Sequence, residues 1–164
     1  MDSYVECLVK AKPQTMWKLV KTLLLVLTVI LVFFTLVYGL GMFILAIASG
    51  VGVYFVNMKA NVEYEYLYLD RELTIDKIMA QTKRKRVAVY KVDRMEIFAP
   101  IKSYRLDNYK NRQVKEKDFS IGEELKPDRR YVFYYEGGEK IIVSPSEEMV
   151  KAMKMVAPRK VFND

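Results

Sequence analysis

The feature that most constrains this chain is a long apolar run that carries no charge. No Asp, Glu, Lys or Arg occurs from Thr22 to Met58, a run of 37 residues. An α-helix rises about 1.5 Å per residue, so a single straight helix of this length would be about 55 Å long. The hydrocarbon core of a bilayer is only about 30 Å thick, and about 20 helical residues cross it. The run is therefore too long for one crossing and suits two.

Two glycines, Gly39 and Gly41, interrupt the run near its middle. Glycine accepts backbone angles that other residues avoid, so this pair favours a tight turn. The sequence predicts a transmembrane helical hairpin over residues 19–58, with helices at about 19–37 and 40–57. In lipid every backbone polar group needs a partner within the chain, which makes helices the expected form. The lipid bilayer is accordingly the first expected partner.

The charges around the run predict its orientation. Lysines flank both ends of the run, whereas the turn has none, and the positive-inside rule then places the N- and C-termini in the cytoplasm. The chain is expected in the cell membrane as a multi-pass protein with two spans. Aromatic and basic residues near the ends of the helices are expected to anchor them at the membrane interfaces: Trp17, Lys18, Lys21, Tyr38, Tyr54 and Lys59.

A signal peptide is the alternative interpretation of the same run. Ala46 and Ala48 have the spacing of a signal-peptidase site, and cleavage after them would release the remainder outside the cell. The apolar stretch before this site is longer than a typical signal core, and the residues after it are still apolar. The hairpin is therefore favoured.

Residues 1–18 are expected to form a cytoplasmic N-terminal tail. Tyr4, Val5, Leu8 and Val9 would share one face of a helix, which predicts an amphipathic segment lying on the membrane. A disordered tail and a segment packed on the downstream domain remain as alternatives.

Residues 60–164 show a different pattern, in which apolar and polar residues alternate. The segment from Val62 to Leu69 places one valine and three tyrosines on one face of a strand. Further alternating segments predict six or seven short antiparallel strands, and Gly137-Gly138 suits a two-residue hairpin turn. The aromatic residues of these strands form either a binding face or, as we favour, the core.

The end of the chain predicts a capped helix. Ser144 would be the N-cap, Pro145 the first helical residue and Glu147 the third, which is the pattern of a capping box. The helix is expected to run to about Ala157, because Pro158 cannot continue it.

Two segments carry a resemblance to a known fold. The segments "VYKVDRMEIF" and "IIVSPSEEMVKAM", in this order of strands and final helix, resemble a bacterial pleckstrin-homology-like domain. The whole chain, through "MDSYVECLV" and "PRKVF", resembles an uncharacterised family of small Gram-positive bacterial membrane proteins, a domain of unknown function. The resemblance implies a cytoplasmic α+β domain, an antiparallel curved sheet or barrel with a C-terminal helix, behind the hairpin. It implies no activity.

Composition excludes several kinds of chemistry. The chain has no His and only one Cys, Cys7. Catalysis by a histidine base, a Cys/His zinc site and an intramolecular disulfide are therefore impossible. Neighbouring carboxylates such as Glu123-Glu124 and Asp93 with Glu96 show no catalytic or metal-binding spacing. We predict no catalytic residue, no metal site, no cofactor and no enzymatic activity.

The strongest candidate for ligand binding is a run of four cations: Lys83, Arg84, Lys85 and Arg86. Near an anionic leaflet each exposed cation contributes about 1 kcal/mol, so this run is a candidate site for lipid headgroups. The alternative is a solvated turn whose charges alternate between the two faces of a strand. Nucleic acid is not an expected partner.

These features together predict a non-enzymatic, membrane-anchored module. Its domain would bind a protein partner, the anionic inner membrane surface or both, and a homo-oligomer is compatible with the pattern. Two alternatives remain: an accessory subunit of a membrane transport or secretion complex, and a membrane-bound enzyme that uses carboxylates.

Overall fold

The computed structural model describes residues 4–122 and 128–163. Its helices and strands are, in chain order, β1 (Val5–Lys10), α1 (Thr15–Tyr38), α2 (Leu40–Ala60), β2 (Val62–Leu69), β3 (Glu72–Met79), β4 (Lys83–Lys91), β5 (Met95–Pro100), β6 (Lys115–Asp118), β7 (Tyr131–Tyr135), β8 (Glu139–Val143) and α3 (Glu147–Val156). Short 3-10 turns cover Val92–Arg94 and Tyr104–Tyr109. The chain divides into two compact units. The helical unit comprises residues 13–62 and 79–83, and the sheet unit comprises the other described residues.

The helical unit is built on two apolar helices separated by one glycine. Gly39 has φ +74° and lies between the last residue of α1 and the first residue of α2. The two predicted helices and the position of their turn are confirmed, but both helices are longer than predicted. The apolar run alone set the predicted bounds, whereas α1 already begins at Thr15 and α2 continues to Ala60. At the N-terminus of α1 the added residues are 15–18, which include the helix formers Met16 and Lys18.

Small residues bring the two helices close together. A Cβ added at Gly52 would lie 3.0 Å from Cδ2 of Leu24, and one added at Gly50 would lie 3.9 Å from Cγ2 of Thr28. The hydroxyls of Thr28 and Ser49 form a hydrogen bond of 2.8 Å between the helices. Small side chains and interhelical hydrogen bonds are the usual means of packing where the surroundings are as apolar as the helices themselves.

The sheet unit contains two four-stranded sheets. The first has the order β1-β2-β3-β4 and the second the order β5-β7-β8-β6. The first strand, β1, pairs with β2 in antiparallel register from Val5 opposite Tyr68 to Lys10 opposite Glu63. The whole helical hairpin is therefore inserted between two strands that are neighbours in one sheet.

The N-terminal segment corrects the sequence prediction. Residues 5–10 form β1 and not an amphipathic helix, which agrees with the alternative that this segment packs on the downstream domain. Val5, Cys7 and Val9 pack against the core, whereas Leu8 is exposed. The spacing of these residues fits one face of a helix and also the alternation of a strand, and pairing with β2 decides between the two. The domain consequently includes residues that precede the hairpin, and does not begin at residue 60.

The core between the sheets is aromatic and aliphatic. Its largest fully buried side chains include Tyr66, Tyr68, Phe98, Phe133, Leu73, Ile75, Met149 and Met153. The alternating face of β2 predicted from the sequence is confirmed, since its tyrosines point into this core. The aromatic residues are thus mainly core residues, and the interpretation as an aromatic binding face is not supported.

The second sheet departs from the purely antiparallel expectation. β6 pairs with β8 in parallel register, whereas β5, β7 and β8 are antiparallel. The described residues contain eight strands, because the prediction missed β1. The turn between β7 and β8 spans residues 136–138, with positive φ at both glycines, so it has three residues and not two. The predicted α+β class is confirmed, with two apolar helices, largely antiparallel sheets and a C-terminal helix.

The cap of α3 also differs from the prediction. Ser146, not Ser144, is the N-cap, and its Oγ accepts a hydrogen bond of 3.2 Å from the backbone N–H of Met149. Glu147 is the first helical residue and so does not complete a capping box. Ser144 instead accepts from the N–H of Ile121, which ties the chain before α3 to the segment after β6.

Candidate membrane-interface and binding residues

The surface of the helical unit is apolar almost throughout. Both helices are long and apolar enough to cross a membrane, with mean hydropathies of 2.7 and 1.9. Within the described chain, α1 has no buried residue. Leu36, Phe33 and Leu23 are 81%, 68% and 62% exposed. A continuous apolar surface of this size marks contact with lipid or with another protein.

Two of the predicted interface residues meet at one end of the helical unit. Trp17 lies in the first turn of α1 and Lys59 in the last turn of α2. The Nζ of Lys59 lies 4.6 Å from the centroid of the Trp17 ring, a cation–π contact. Lys18 and Lys21 follow Trp17 in α1. This end of the hairpin therefore combines an indole ring with several ammonium groups, the residue types found at membrane interfaces.

The remaining predicted interface residues are two tyrosines. Tyr38 is the last residue of α1 and packs edge-on against Phe34 at 5.8 Å between ring centroids. Tyr54 lies in α2 and packs edge-on against Phe55. Tyr38 thus lies at the turn, at the end of α1 opposite to Trp17. The role of the six predicted interface residues as membrane anchors remains a prediction.

The four cations of the basic run are all exposed, and they lie in β4, not in a turn. The Nε of Arg84 donates to Oδ2 of Asp76 at 2.8 Å, and its guanidinium also pairs with Glu65. The Nε of Arg86 lies 3.5 Å from Oδ1 of Asp76. Glu65 and Asp76 are only 7% and 4% exposed.

This ion-pair cluster gives two of the four cations in the basic run, Arg84 and Arg86, a structural role. A buried carboxylate without a cation or hydrogen-bond donor is costly, so Arg84 and Arg86 stabilise the first sheet by neutralising two buried acids. Lys83 and Lys85 have no acidic partner among the described residues, and they are the cations of the run that are left for a ligand. Sequence analysis missed Glu65 and Asp76. The available signal was an acidic residue at the middle of each of two adjacent strands of a hairpin.

Other titratable groups of the sheet unit are engaged in the fold. Arg130 donates to both carboxylate oxygens of Asp128, at 2.9 and 2.8 Å, and these hydrogen bonds lower the pKa of Asp128. Burial raises the pKa of Tyr66, whose hydroxyl donates to the carbonyl of Phe119. Burial also raises the pKa of the Cys7 thiol, which makes this cysteine a poor nucleophile at neutral pH.

One cavity lies at the C-terminal end of α3. It has a volume of about 330 Å³ and is lined by Asp93, Val156, Ala157, Pro158, Arg159 and Lys160. The Nζ of Lys160 donates to the backbone carbonyl of Asp93 at 2.6 Å, and Arg71 approaches the carboxylate of Asp93 at 3.8 Å. Asp93 and Lys160, two of the polar residues that line this cavity, are therefore already bonded to each other.

Among the described residues, the carboxylates do not converge on a catalytic arrangement. Glu96 pairs with Arg112 at 2.6 Å, and the carboxylates of Asp76 and Asp93 have the cationic partners described above. Glu123 and Glu124 lie outside the described residues. In the described ranges no group of three or more His, Cys, Asp or Glu side chains could hold a metal ion.

Comparison with known proteins gives one match. A family model described as "Bacterial PH-like domain (DUF6106)" matches residues 1–163. No curated protein and no solved structure matches the chain. The match extends over β1, both helices of the hairpin and the sheet unit.

Proposed function

The chain belongs to the family of bacterial PH-like domains, and from this premise we propose that it is a non-enzymatic, membrane-anchored binding module. In this proposal α1 and α2 form a transmembrane hairpin, and the sheet unit lies in the cytoplasm. The principal ligand of the sheet unit is a protein partner. Binding to the anionic inner leaflet is the second candidate.

The observation that carries the proposal is the pairing of β1 with β2 across the inserted helices. Six consecutive residue pairs join the two strands. Since β1 precedes the hairpin and β2 follows it, these strands can pair only if both ends of the hairpin lie on the same side of the membrane. An apolar insertion with both ends on one side must cross an even number of times, which supports two spans over one. It also argues against cleavage after Ala48, which would separate β1 from the sheet that it completes.

The cytoplasmic orientation rests on charge. Trp17, Lys18, Lys21 and Lys59 lie at the open end of the hairpin, while residues 39–41 at its turn carry no charge. Lysines are retained on the cytoplasmic side during insertion, so the open end and the sheet unit belong there.

A protein partner is favoured over lipid because of the ion pairs in β4. With Arg84 and Arg86 neutralised by Asp76 and Glu65, Lys83 and Lys85 remain for headgroups. At about 1 kcal/mol for each cation, lipid binding by this run would supply about 2 kcal/mol and not 4. This energy is enough to bias the orientation of a tethered domain. Lipid binding of this strength is too weak to be the main function of the domain.

Cysteine labelling tests the topology. In a Cys7→Ser background, Gly41→Cys places a thiol at the turn, where an added Cβ meets nothing within 4 Å. Tyr104→Cys places one on the sheet unit, where the side chain is 66% exposed. A membrane-impermeant maleimide should label Gly41→Cys on intact cells and Tyr104→Cys only after permeabilisation. Labelling of Tyr104→Cys on intact cells would reverse the proposed orientation, and release of the chain by carbonate would remove the membrane anchor.

The lipid candidate has its own test. In nanodiscs, hydrogen exchange of β4 should be slower with anionic than with zwitterionic lipid, and Lys83→Gln with Lys85→Gln should abolish the difference. Lys102→Gln, at another exposed lysine of the sheet unit, is the matched control. An equal exchange rate in both lipids would leave the protein partner as the ligand.

A further inference from the structure

The strands at the edges of the two sheets are not equally covered. The C-terminal residues cover β5, because Phe98 N–H donates to Lys160 O and Phe162 N–H donates to Phe98 O, both at 2.8 Å. β1 leads into a hydrogen bond of 3.2 Å from Lys12 N–H to Ser120 O, and α3 packs beside it. β6 has only four residues, all charged.

β4 is different, because it is long and open. It has nine residues and is the last strand of its sheet. Beyond its pairing with β3, the described residues provide no backbone partner for residues 85–90. We call residues 85–90 the open edge. A strand edge with unpaired N–H and C=O groups is a template for a further strand.

The side chains of the open edge combine apolar and cationic character. Val87 and Val89 are each 43% exposed, although valine in a strand normally packs against a neighbour. Lys85 is exposed and has no acidic partner among the described residues. Ala88 and Tyr90 alternate with the valines and belong to the core, which fixes the valines on the opposite side of the strand.

Charge identifies the kind of strand that this edge accepts. β4 contains five cations and no acid. Two copies of β4 side by side would bring ten cations together, and like charges opposite each other destabilise a strand pair. Cations on an edge strand are a known device against such self-association. An incoming segment with acidic residues would instead pair favourably with Lys85 and cover the two valines.

We propose that the open edge of β4 is a docking site for an extended, acidic segment of a partner protein, which adds to the first sheet as a fifth strand. The segment would carry β-branched residues opposite Val87 and Val89 and a carboxylate opposite Lys85. Main-chain hydrogen bonds would supply affinity, and the side chains would supply specificity. This inference rests on the proposed function as a binding module, and it names the surface and the chemistry of the partner.

A photocrosslinker tests the site in the full chain in its own membrane. With p-benzoylphenylalanine at position 87, we expect crosslinks to an extended acidic segment of another protein, reduced at least tenfold by Lys85→Glu. Lys154→Glu, at an exposed lysine of α3, is the matched charge control and should not reduce them. Crosslinks to a second copy or to lipid would overturn the proposal. Crosslinks as strong from position 104, or an equal loss with Lys154→Glu, would also overturn it.

A synthetic peptide separates main-chain pairing from simple charge attraction. The probe has two valines and two glutamates at every second position, so that all four side chains lie on one face of the added strand, and it is titrated against the full chain in detergent micelles. N-methylation at alternate residues in one phase should abolish binding, while methylation in the other phase should leave it intact, because only one set of N–H groups faces β4. Equal effects of both phases, no binding by the glutamate peptide, or equal binding by a version with lysines would overturn the strand-addition model. Since this experiment does not depend on topology, its failure would leave the membrane-anchored module in place.

Discussion

The helical unit and the sheet unit use the same apolar residue types in opposite ways. Leucine, valine and phenylalanine cover the outside of α1, where Phe33 is 68% exposed. In the sheet unit Phe98 and Phe133 are completely buried and stack on each other at 5.9 Å. The difference teaches that apolar character alone does not place a residue inside a fold. It favours a place away from water, and in the proposed membrane-anchored module a bilayer would provide that place for the helices.

Placing a charge on an exposed helical residue in each unit gives the largest contrast. Val29 is 61% exposed in α1, and Val29→Asp should weaken membrane insertion by about 3 kcal/mol, about a hundredfold, since aspartate is strongly unfavourable at the centre of a membrane helix. The measurement is the carbonate-resistant fraction of the chain. Met155→Asp is the control, because Met155 is 79% exposed in α3 and should tolerate the charge. If Val29→Asp remains in the membrane like Met155→Asp, the contrast between the units fails.

The next contrast lies within β1. Val9 packs against the core and Leu8 is 57% exposed, although a helix would place both on one face. Val9→Asp should lower the free energy of unfolding of the sheet unit by about 2 kcal/mol, because it forces a polar group into a half-buried site. Leu8→Asp should change it by about 0.5 kcal/mol or less. Pulse proteolysis in urea measures both, and equal losses would restore the helical interpretation.

Tyr66 tests the buried polar part of the sheet unit. Its hydroxyl donates to Phe119 O at 2.6 Å and accepts from Ser144 N–H at 3.2 Å. Tyr66→Phe leaves two buried backbone groups without partners and should cost about 1–2 kcal/mol of unfolding free energy. Burial raises the pKa of Tyr66 in the folded state. The corresponding stability is complete below the unfolded pKa of about 10 and is lost as pH rises above it.

The matching measurement is urea unfolding of both proteins across this pH range. The stability difference between wild type and Tyr66→Phe should be constant from pH 7 to 9 and should shrink as pH rises further. A difference that stays constant at high pH would mean that Tyr66 ionises equally well in the folded and unfolded chain.

The smallest expected effect concerns the contact between the two helices. A double-mutant cycle with Thr28→Val and Ser49→Ala should give a coupling energy of about 0.6 kcal/mol, which is typical of hydrogen bonds between membrane helices. Helix association in nanodiscs, followed by steric trapping, provides the measurement. A coupling near zero would mean that Gly50 and Gly52 carry the packing alone.

The two units also differ in how far the sequence predicts them. The two apolar helices follow from one local property, the absence of charge between Thr22 and Met58. They are predictable because this property does not depend on pairing with distant residues. The pairing of β1 with β2 joins residues that are 53 to 63 positions apart, and no local pattern distinguishes β1 from a helix. The parallel pairing of β6 with β8 is hidden for the same reason. The cap of α3 was missed by two residues because Ser144 and Ser146 are equally suitable in composition.

The candidate binding residues show the same limit. The cationic run of β4 is visible in the sequence, but the ion pairs that engage Arg84 and Arg86 depend on Glu65 in β2 and Asp76 in β3. That β4 is an uncovered edge strand depends on the order of strands in the sheet, and the sequence does not show this order. The sequence therefore predicted the cations of β4, but it did not predict which of them are free to contact a ligand.

The insertion of the hairpin between β1 and β2 determines how a soluble form of the sheet unit has to be designed. Truncation at residue 60 would remove both apolar helices and also β1, and it would leave β2 as an unpaired edge strand that is prone to aggregation. Replacing residues 13–61 with a short glycine-containing turn would keep both strands, since Lys10 already lies opposite Glu63. A soluble form of the sheet unit must therefore retain β1, although this strand precedes the apolar helices in the sequence.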